Sequence, residues 1–204
     1  LDSGELLTEG AAIVQYIADQ TPAKKLAPAN GTMERYRLQS WLNFIGTELH
    51  KSCSPFFNPA SGKEWKEIAG ANLERRLGYV NEQLEGKPYL LGEDFSVADG
   101  YLFTVLSWMK YVGIELEKWP NLVAFSARVG ARPAVQTVLK AVVVGWALGS
   151  ALGFAVGVSI DRSPFLQRGL LPLASLTSTV PLVAVAPIMV MWFGFEWPSK
   201  AAVV

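Results

Sequence analysis

A carboxylate at the start of a predicted helix is the first group in this sequence suited to binding chemistry. Glu9 and Gly10 open a segment whose apolar residues, Ile13, Tyr16 and Ile17, recur at helical spacing. The unpaired backbone N–H groups and the positive dipole end of a helix N-terminus favour a ligand carboxylate, and the Glu9 side chain favours an ammonium. The pair therefore predicts a site for a ligand that carries both charges, although a carboxylate at a helix start is also a common solvated surface group.

The single histidine, His50, is followed directly by Lys51. An imidazole titrates near neutral pH, so it can hold or transfer a proton, although a surface or packing role is the simpler alternative. Lys51 taken alone is typical of a solvated surface charge. One cysteine, Cys53, and one histidine exclude an internal disulfide and argue against a metal centre. We interpret Cys53 as an ordinary helix residue.

Soluble amphipathic helices are predicted to position these groups. Residues 33–139 place apolar side chains at three- and four-residue steps, which indicates several helices with polar outer faces. Ser96 and Asp99 have the spacing of an N-terminal capping box, and a linker is predicted over residues 21–32.

The charged residues are distributed unevenly along the chain. Residues 141–204 hold five of the 36 charged side chains, and the formal net charge of the whole chain is zero, which argues against nucleic-acid binding. Residues 141–160 carry no charge and are long enough to cross a bilayer as a helix. Residues 170–195 are also uncharged, but three prolines interrupt them, so a helix there would be broken.

Four separated motifs resemble a known family. These are residues 7–13 (LTEGAAI), 41–51 (WLNFIGTELHK), 95–103 (FSVADGYLF) and 131–135 (ARPAV). In this order they resemble the bacterial beta class of glutathione transferases, over roughly residues 1–139. The resemblance implies the last strand and helix of a thioredoxin-like domain at residues 1–20 and an all-helical C-terminal domain at 33–139.

The resemblance also implies a site and a reaction. Residues matching Glu9, Gly10, Asn43 and Lys51 lie at or near the glutathione site, and the histidine matching His50 assists the thiol chemistry. Ser96 and Asp99 are structural. The implied co-substrate is glutathione, without a metal, and the partners are a hydrophobic electrophile and a second copy of the chain in a cytoplasmic homodimer. The family's reactive cysteine and cis-proline correspond to positions before Leu1, so we expect weak or absent conjugation.

A second resemblance covers roughly residues 138–204. The proline spacing of residues 179–195 and the Trp192–Phe195 sequence are similar to the permease subunit of bacterial ABC importers of the nitrate, sulfonate, taurine and pyrimidine-precursor type. It implies a bilayer around residues 141–204, an inner-membrane location for residues 140–204 and, if the permease works, an ABC ATPase partner.

The predicted fold class is mainly α: a transferase-like helical domain with a thioredoxin-like remnant, followed by transmembrane helices. We interpret the chain as a transferase fragment joined near Lys140 to a truncated permease segment, and as catalytically incomplete. The alternative is an ABC permease that transports a small anionic or heterocyclic solute.

Overall fold

The computed structural model describes residues 1, 4–163 and 168, and the chain divides into two compact units, Leu1–Gly130 and Ala131–Val204. The first unit is helical. Its α-helices are α1 (Gly10–Gln20), α2 (Met33–Phe44), α3 (Ser54–Phe57), α4 (Lys63–Gln83), α5 (Val97–Leu106), α6 (Met109–Val112) and α7 (Pro120–Gly130). A π-helical turn occupies Ile45–His50, and 3-10 turns occupy Pro22–Lys24, Lys51–Cys53 and Leu116–Lys118.

The core of the first unit is built around α5, which contacts α1, α2, the π-helical turn and α7. Each neighbouring helix contributes apolar side chains at the helical spacing expected from the sequence. The largest fully buried ones include Leu38, Leu42, Ile45, Leu49, Leu73, Leu77, Leu102, Leu106, Leu122 and Phe125. The prediction of a mainly helical domain with amphipathic helices is therefore confirmed.

The start of α5 is organised by a buried carboxylate. Asp99 has no exposed surface, and with Ser96 it forms the capping box that the sequence predicts. Its Oδ2 atom accepts hydrogen bonds from the Ser96 backbone N–H at 2.8 Å and the Ser96 hydroxyl at 2.7 Å, and Oδ1 accepts from the Leu90 N–H at 2.8 Å. Burial raises the pKa of Asp99 above its ordinary value, and these hydrogen bonds oppose that rise.

A second polar contact joins α1 to α2. The guanidinium of Arg35, which is 3% exposed, donates to both carboxylate oxygens of Asp19 at 2.8 and 2.7 Å and to the Pro28 carbonyl at 2.9 Å. The hydrogen bond from Arg35 is the main reason that the pKa of Asp19 lies below its ordinary value. A bidentate pair of this kind fixes orientation as well as distance, so it sets how α1 lies on α2.

The strand predicted within residues 1–20 does not form in the described part of the chain. A strand requires ladder hydrogen bonds to a neighbouring strand, and among the described residues β-type pairing is limited to the isolated bridge between Tyr89 and Gly92. The expected last strand of a thioredoxin-like domain is therefore corrected to a non-helical segment that leads into α1.

The second unit contains α8 (Pro133–Arg162), a single helix of 30 residues, about 45 Å long. It runs without a break through Lys140, where the sequence changes from charged to apolar. Of its most apolar 18-residue stretch, 11% is buried, and Trp146, Leu148, Leu152 and Phe154 are each more than 60% exposed. By length and composition alone, α8 is the one helix among the described residues that could cross a membrane. The proline-broken segment predicted at 170–195 lies outside the described residues.

We expect Asp99→Ala to lower the free energy of unfolding by about 3 kcal/mol, because it leaves buried N–H groups of Ser96 and Leu90 without an acceptor. Urea denaturation of the full chain measures this loss. The matched control is Asp94→Ala, which removes an exposed carboxylate from the same loop and is expected to change stability by less than about 0.5 kcal/mol. Equal losses in the two variants would contradict the role assigned to Asp99.

Candidate functional site

All five residues that the sequence singles out for ligand binding line one cavity of the first unit. The cavity has a volume of about 770 Å³, and Glu9, Gly10, Asn43, His50 and Lys51 lie along its wall. They come from three places in the fold: the start of α1, the end of α2, and the π-helical turn with the 3-10 turn that follows it. The start of α5 closes the cavity with Gly100, Tyr101 and Thr104. A volume of this size is typical of small-molecule sites.

Glu9 is the N-cap residue of α1 and has an unusual backbone conformation. Its φ angle is +68°, in the left-handed region that residues with a side chain rarely adopt. Such strain costs roughly 1–3 kcal/mol and is concentrated at functional sites. The first turn of α1 presents N–H groups that have no partner within the helix, and a Cβ atom placed on Gly10 would meet nothing within 4 Å. The helix N-terminus is therefore open to a ligand.

The π-helical turn Ile45–His50 places the second group of residues. A π-helical turn is wider than an α-helical one and occurs frequently at functional sites. Asn43 precedes this turn and His50 ends it, and both side chains are exposed toward the cavity that they line. Gly46 faces α5, where a Cβ atom would lie in ordinary van der Waals contact with the Tyr101 hydroxyl oxygen, at 3.5 Å.

His50 is held in place by two aromatic residues. Its Nδ1 atom lies 2.7 Å from the hydroxyl oxygen of Tyr101, and its ring packs edge-on against Trp108 at 4.8 Å between centroids. A second cavity, of about 550 Å³, lies on the Trp108 side and is walled by Phe57, Trp108 and Tyr111. His50 lines both cavities, so it stands between the cavity that holds the charged side chains of Glu9 and Lys51 and the aromatic one.

The pKa of the Tyr101 hydroxyl is perturbed by its surroundings in the site. Burial raises the pKa of its hydroxyl above the ordinary value of 10.0, and the negative charge of Glu9 raises it further. The charge effect means that Glu9 and Tyr101, 92 positions apart in the chain, act on each other across the cavity. Perturbed titratable groups in a cleft are typical of functional sites.

Tyr101 and Trp108 are the site residues that the sequence analysis did not identify. Tyr101 belongs to the motif at residues 95–103, which gave it no role, and 51 positions separate it from His50. The sequence feature that could identify Tyr101 is its position in the first turns of α5, two residues after the capping aspartate Asp99. The capping box fixes where that helix begins, so it also fixes which cavity the first turns face.

Cys53 lies near this site but is not available to it. Its side chain is 1% exposed, and its thiol donates to the Leu49 carbonyl at 3.4 Å. Burial raises the pKa of the thiol to about 11. A reactive cysteine requires the opposite, a lowered pKa and access, which agrees with the interpretation of Cys53 as an ordinary helix residue.

The family profile described as "Glutathione S-transferase, C-terminal domain" matches residues 44–133. The chain is 45% identical over 141 residues to glutathione S-transferase GstA of Escherichia coli O157:H7, covering 69% of this chain and 70% of that protein. Solved structures that are similar to this chain include two glutathione transferases. One is the ternary complex of BphK, a bacterial transferase, with 63% identity, a TM-score of 0.68, and coverage of 69% of this chain and 70% of that one. The other is a sphingomonad glutathione S-transferase complexed with glutathione, with 48% identity, a TM-score of 0.67 and the same coverage.

We expect Cys53 to react with a thiol reagent at pH 8 at least about a hundredfold more slowly in the folded chain than in urea. A pKa of about 11 leaves about one thiol in a thousand ionised at this pH, against about a quarter for a free thiol of pKa near 8.5. The rate is followed by release of the chromophore from Ellman's reagent.

The control carries Cys53→Ala together with Ser107→Cys, which moves the thiol to an exposed position, and it should react at the same rate in both conditions. Equal rates for Cys53 in the folded and the unfolded chain would show that the thiol is accessible and would contradict the burial described above.

Proposed function

Because this chain belongs to the glutathione S-transferase family, we propose that the 770 Å³ cavity binds glutathione. One observation carries the proposal: residues from three separate segments, predicted from sequence motifs, line the same cavity. Glutathione is a tripeptide with two carboxylates, one ammonium and one thiol, and the cavity offers a complementary group for each of them. The function that follows is conjugation of glutathione to hydrophobic electrophiles.

The start of α1 is assigned to the γ-glutamyl end of the ligand. The N–H groups of Gly10 and Ala11 suit the α-carboxylate, and the positive dipole end of α1 stabilises it. The Glu9 carboxylate suits the α-ammonium. Strain at Glu9 supports this assignment, since a φ angle of +68° is retained where a glycine would relieve it.

The opposite wall is assigned to the rest of the tripeptide. Lys51 supplies a cation for the second carboxylate, and Asn43 supplies an amide that can both donate to and accept from the peptide groups. His50 assists at the sulfur. The aromatic cavity on the far side of His50, walled by Phe57, Trp108 and Tyr111, is proposed to take the electrophile. Both cavities border the imidazole of His50, so the thiol and the electrophile are proposed to meet beside this ring.

Three parts of the sequence-based interpretation stay predictions. They are the bounds of the thioredoxin-like remnant and of the helical domain, the homodimer, and the catalytic incompleteness of the chain. Turnover of a model electrophile by the purified chain tests the last of these directly, and turnover at rates typical of enzymes would contradict it.

We expect Glu9→Gln to weaken glutathione binding by about tenfold or more, because an ammonium–carboxylate hydrogen bond contributes roughly 1.5–3 kcal/mol. Isothermal titration of the full chain with glutathione measures the affinity, and the shift in thermal stability with millimolar glutathione provides a second readout. The matched control is Glu64→Gln, which removes a carboxylate from the first turn of α4, away from the cavity. Its affinity should equal that of the unchanged protein, whereas no binding by the unchanged protein would refute the proposal.

We propose as a second function that residues 141–160 anchor the chain in a bilayer. The support is the exposed apolar surface of α8 over a stretch that contains no charge and has the length of a membrane span. The matched family profile ends at residue 133, so the permease resemblance, its ATPase partner, the transported solute and the join near Lys140 stay predictions.

We expect the full chain to stay with membranes after an alkaline carbonate wash and to float with them in a density gradient, which separates inserted protein from aggregates. Replacing Leu148 and Leu152 by arginine should release it, because each charge costs about 3 kcal/mol at the centre of a span. The control Val138→Arg, outside the uncharged stretch, should remain membrane-bound. Full release of the unchanged protein would exclude the anchor.

A further inference from the structure

The contact between Tyr101 and His50 determines which nitrogen of the imidazole carries its proton. Nδ1 of His50 and the hydroxyl oxygen of Tyr101 are 2.7 Å apart, the distance of a strong hydrogen bond. In a neutral imidazole one nitrogen donates and the other accepts, so the direction of this bond fixes the tautomer.

The hydrogen-bond partners of the phenol favour it as the donor in this bond. Within the described part of the chain, the Tyr101 hydroxyl forms its hydrogen bond with His50 alone. Burial and the nearby Glu9 charge both raise the pKa of this hydroxyl, so it keeps its proton throughout the pH range in which a histidine becomes neutral. If Nδ1–H were the donor, the phenol O–H would have no acceptor among the described residues, whereas a donating phenol has Nδ1 as its acceptor, and the imidazole proton then resides on Nε2.

The surroundings of the ring favour a single orientation. Trp108 packs on His50 edge-on, with an angle of 81° between the rings. The charged groups that line the same cavity are Glu9 and Lys51. The ring is therefore held by one hydrogen bond and one aromatic contact, and Nε2 has no hydrogen bond to the described residues.

We infer that Tyr101 is a positioning residue that keeps neutral His50 in the Nε2–H tautomer, so that His50 meets a thiol-bearing ligand as a hydrogen-bond donor and not as a base. The part of this inference that concerns the thiol-bearing ligand rests on the proposed glutathione site. The thiol loses its proton to solvent, and the Nε2–H group donates to the thiolate that remains. No proton is transferred to His50, and the imidazole is unchanged after the thiolate has reacted.

Nitrogen NMR tests the tautomer without any ligand. The chain contains one histidine, so the imidazole ¹⁵N signals of the full chain belong to His50. The sample contains detergent, which keeps the chain in solution if it inserts into membranes. Above the imidazole pKa we expect the shift pattern of nearly pure Nε2–H tautomer. Tyr101→Phe should move the pattern toward the mixture of tautomers found for imidazole in water.

The matched control is Tyr36→Phe, which deletes the same hydroxyl from an exposed tyrosine of α2 that lines neither cavity, and it should leave the His50 signals unchanged. An Nδ1–H tautomer in the unchanged protein, or the same tautomer ratio in Tyr101→Phe, would overturn the inference. The spectrum of the unchanged protein decides the question even if Tyr101→Phe does not fold.

Glutathione binding separates this inference from the proposed function. We expect Tyr101→Phe to raise the pKa of the bound glutathione thiol, followed by thiolate absorbance, while Tyr36→Phe leaves this pKa unchanged. An unchanged thiol pKa in Tyr101→Phe would overturn the donor role. A fixed Nε2–H tautomer in a chain that does not bind glutathione would instead refute the proposed function and support the Tyr101–His50 assignment.

Discussion

The buried carboxylate of Asp99 is the constraint on which the first unit depends. A charged group without solvent is costly unless donors surround it, and here the backbone of the loop that precedes α5 provides them. The loop can therefore take only the path that brings Ser96 and Leu90 to this carboxylate. Because α5 contacts α1, α2, the π-helical turn and α7, fixing its first turn fixes the centre of the core.

The same constraint extends to the site. Two residues after Asp99, Tyr101 reaches the cavity where it meets His50, and Val97 donates to the Leu26 carbonyl in the linker after α1. The Arg35–Asp19 pair then holds α1 on α2 and so determines where Glu9 and Gly10 lie. Arg35 is buried and Asp19 is exposed, and an ion pair of this kind is weak evidence for stability, but its bidentate geometry specifies orientation. In this protein the polar contacts determine geometry, and the apolar core supplies the driving force for folding.

Large aliphatic side chains form the buried core of the first unit, whereas most large apolar side chains in α8 of the second unit are exposed. In the first unit the large aliphatic side chains of α2, α4, α5 and α7 are inside, with polar faces outside. In α8 the large apolar side chains are mostly exposed, and Gly149, Gly153 and Gly157 have nothing near the position of a Cβ atom. An exposed apolar surface of this extent requires a partner, which is either lipid or protein. The change occurs within one continuous helix, at the position where the charges end.

The sequence by itself determined the helical class and the capping box, because each depends on short-range spacing or on a local motif, while its motifs indicated five candidate ligand residues through a family resemblance, and their role stays a prediction. Ser96 and Asp99 are three positions apart, and the periodicity of residues 33–139 spans single helices, so neighbouring residues contain the signal. Only the tertiary structure decided that Tyr101 holds His50, that Cys53 is buried, and that the segment before α1 has no strand partner among the described residues. These depend on contacts between residues distant in the chain, and such contacts are fixed by packing, which no local pattern records.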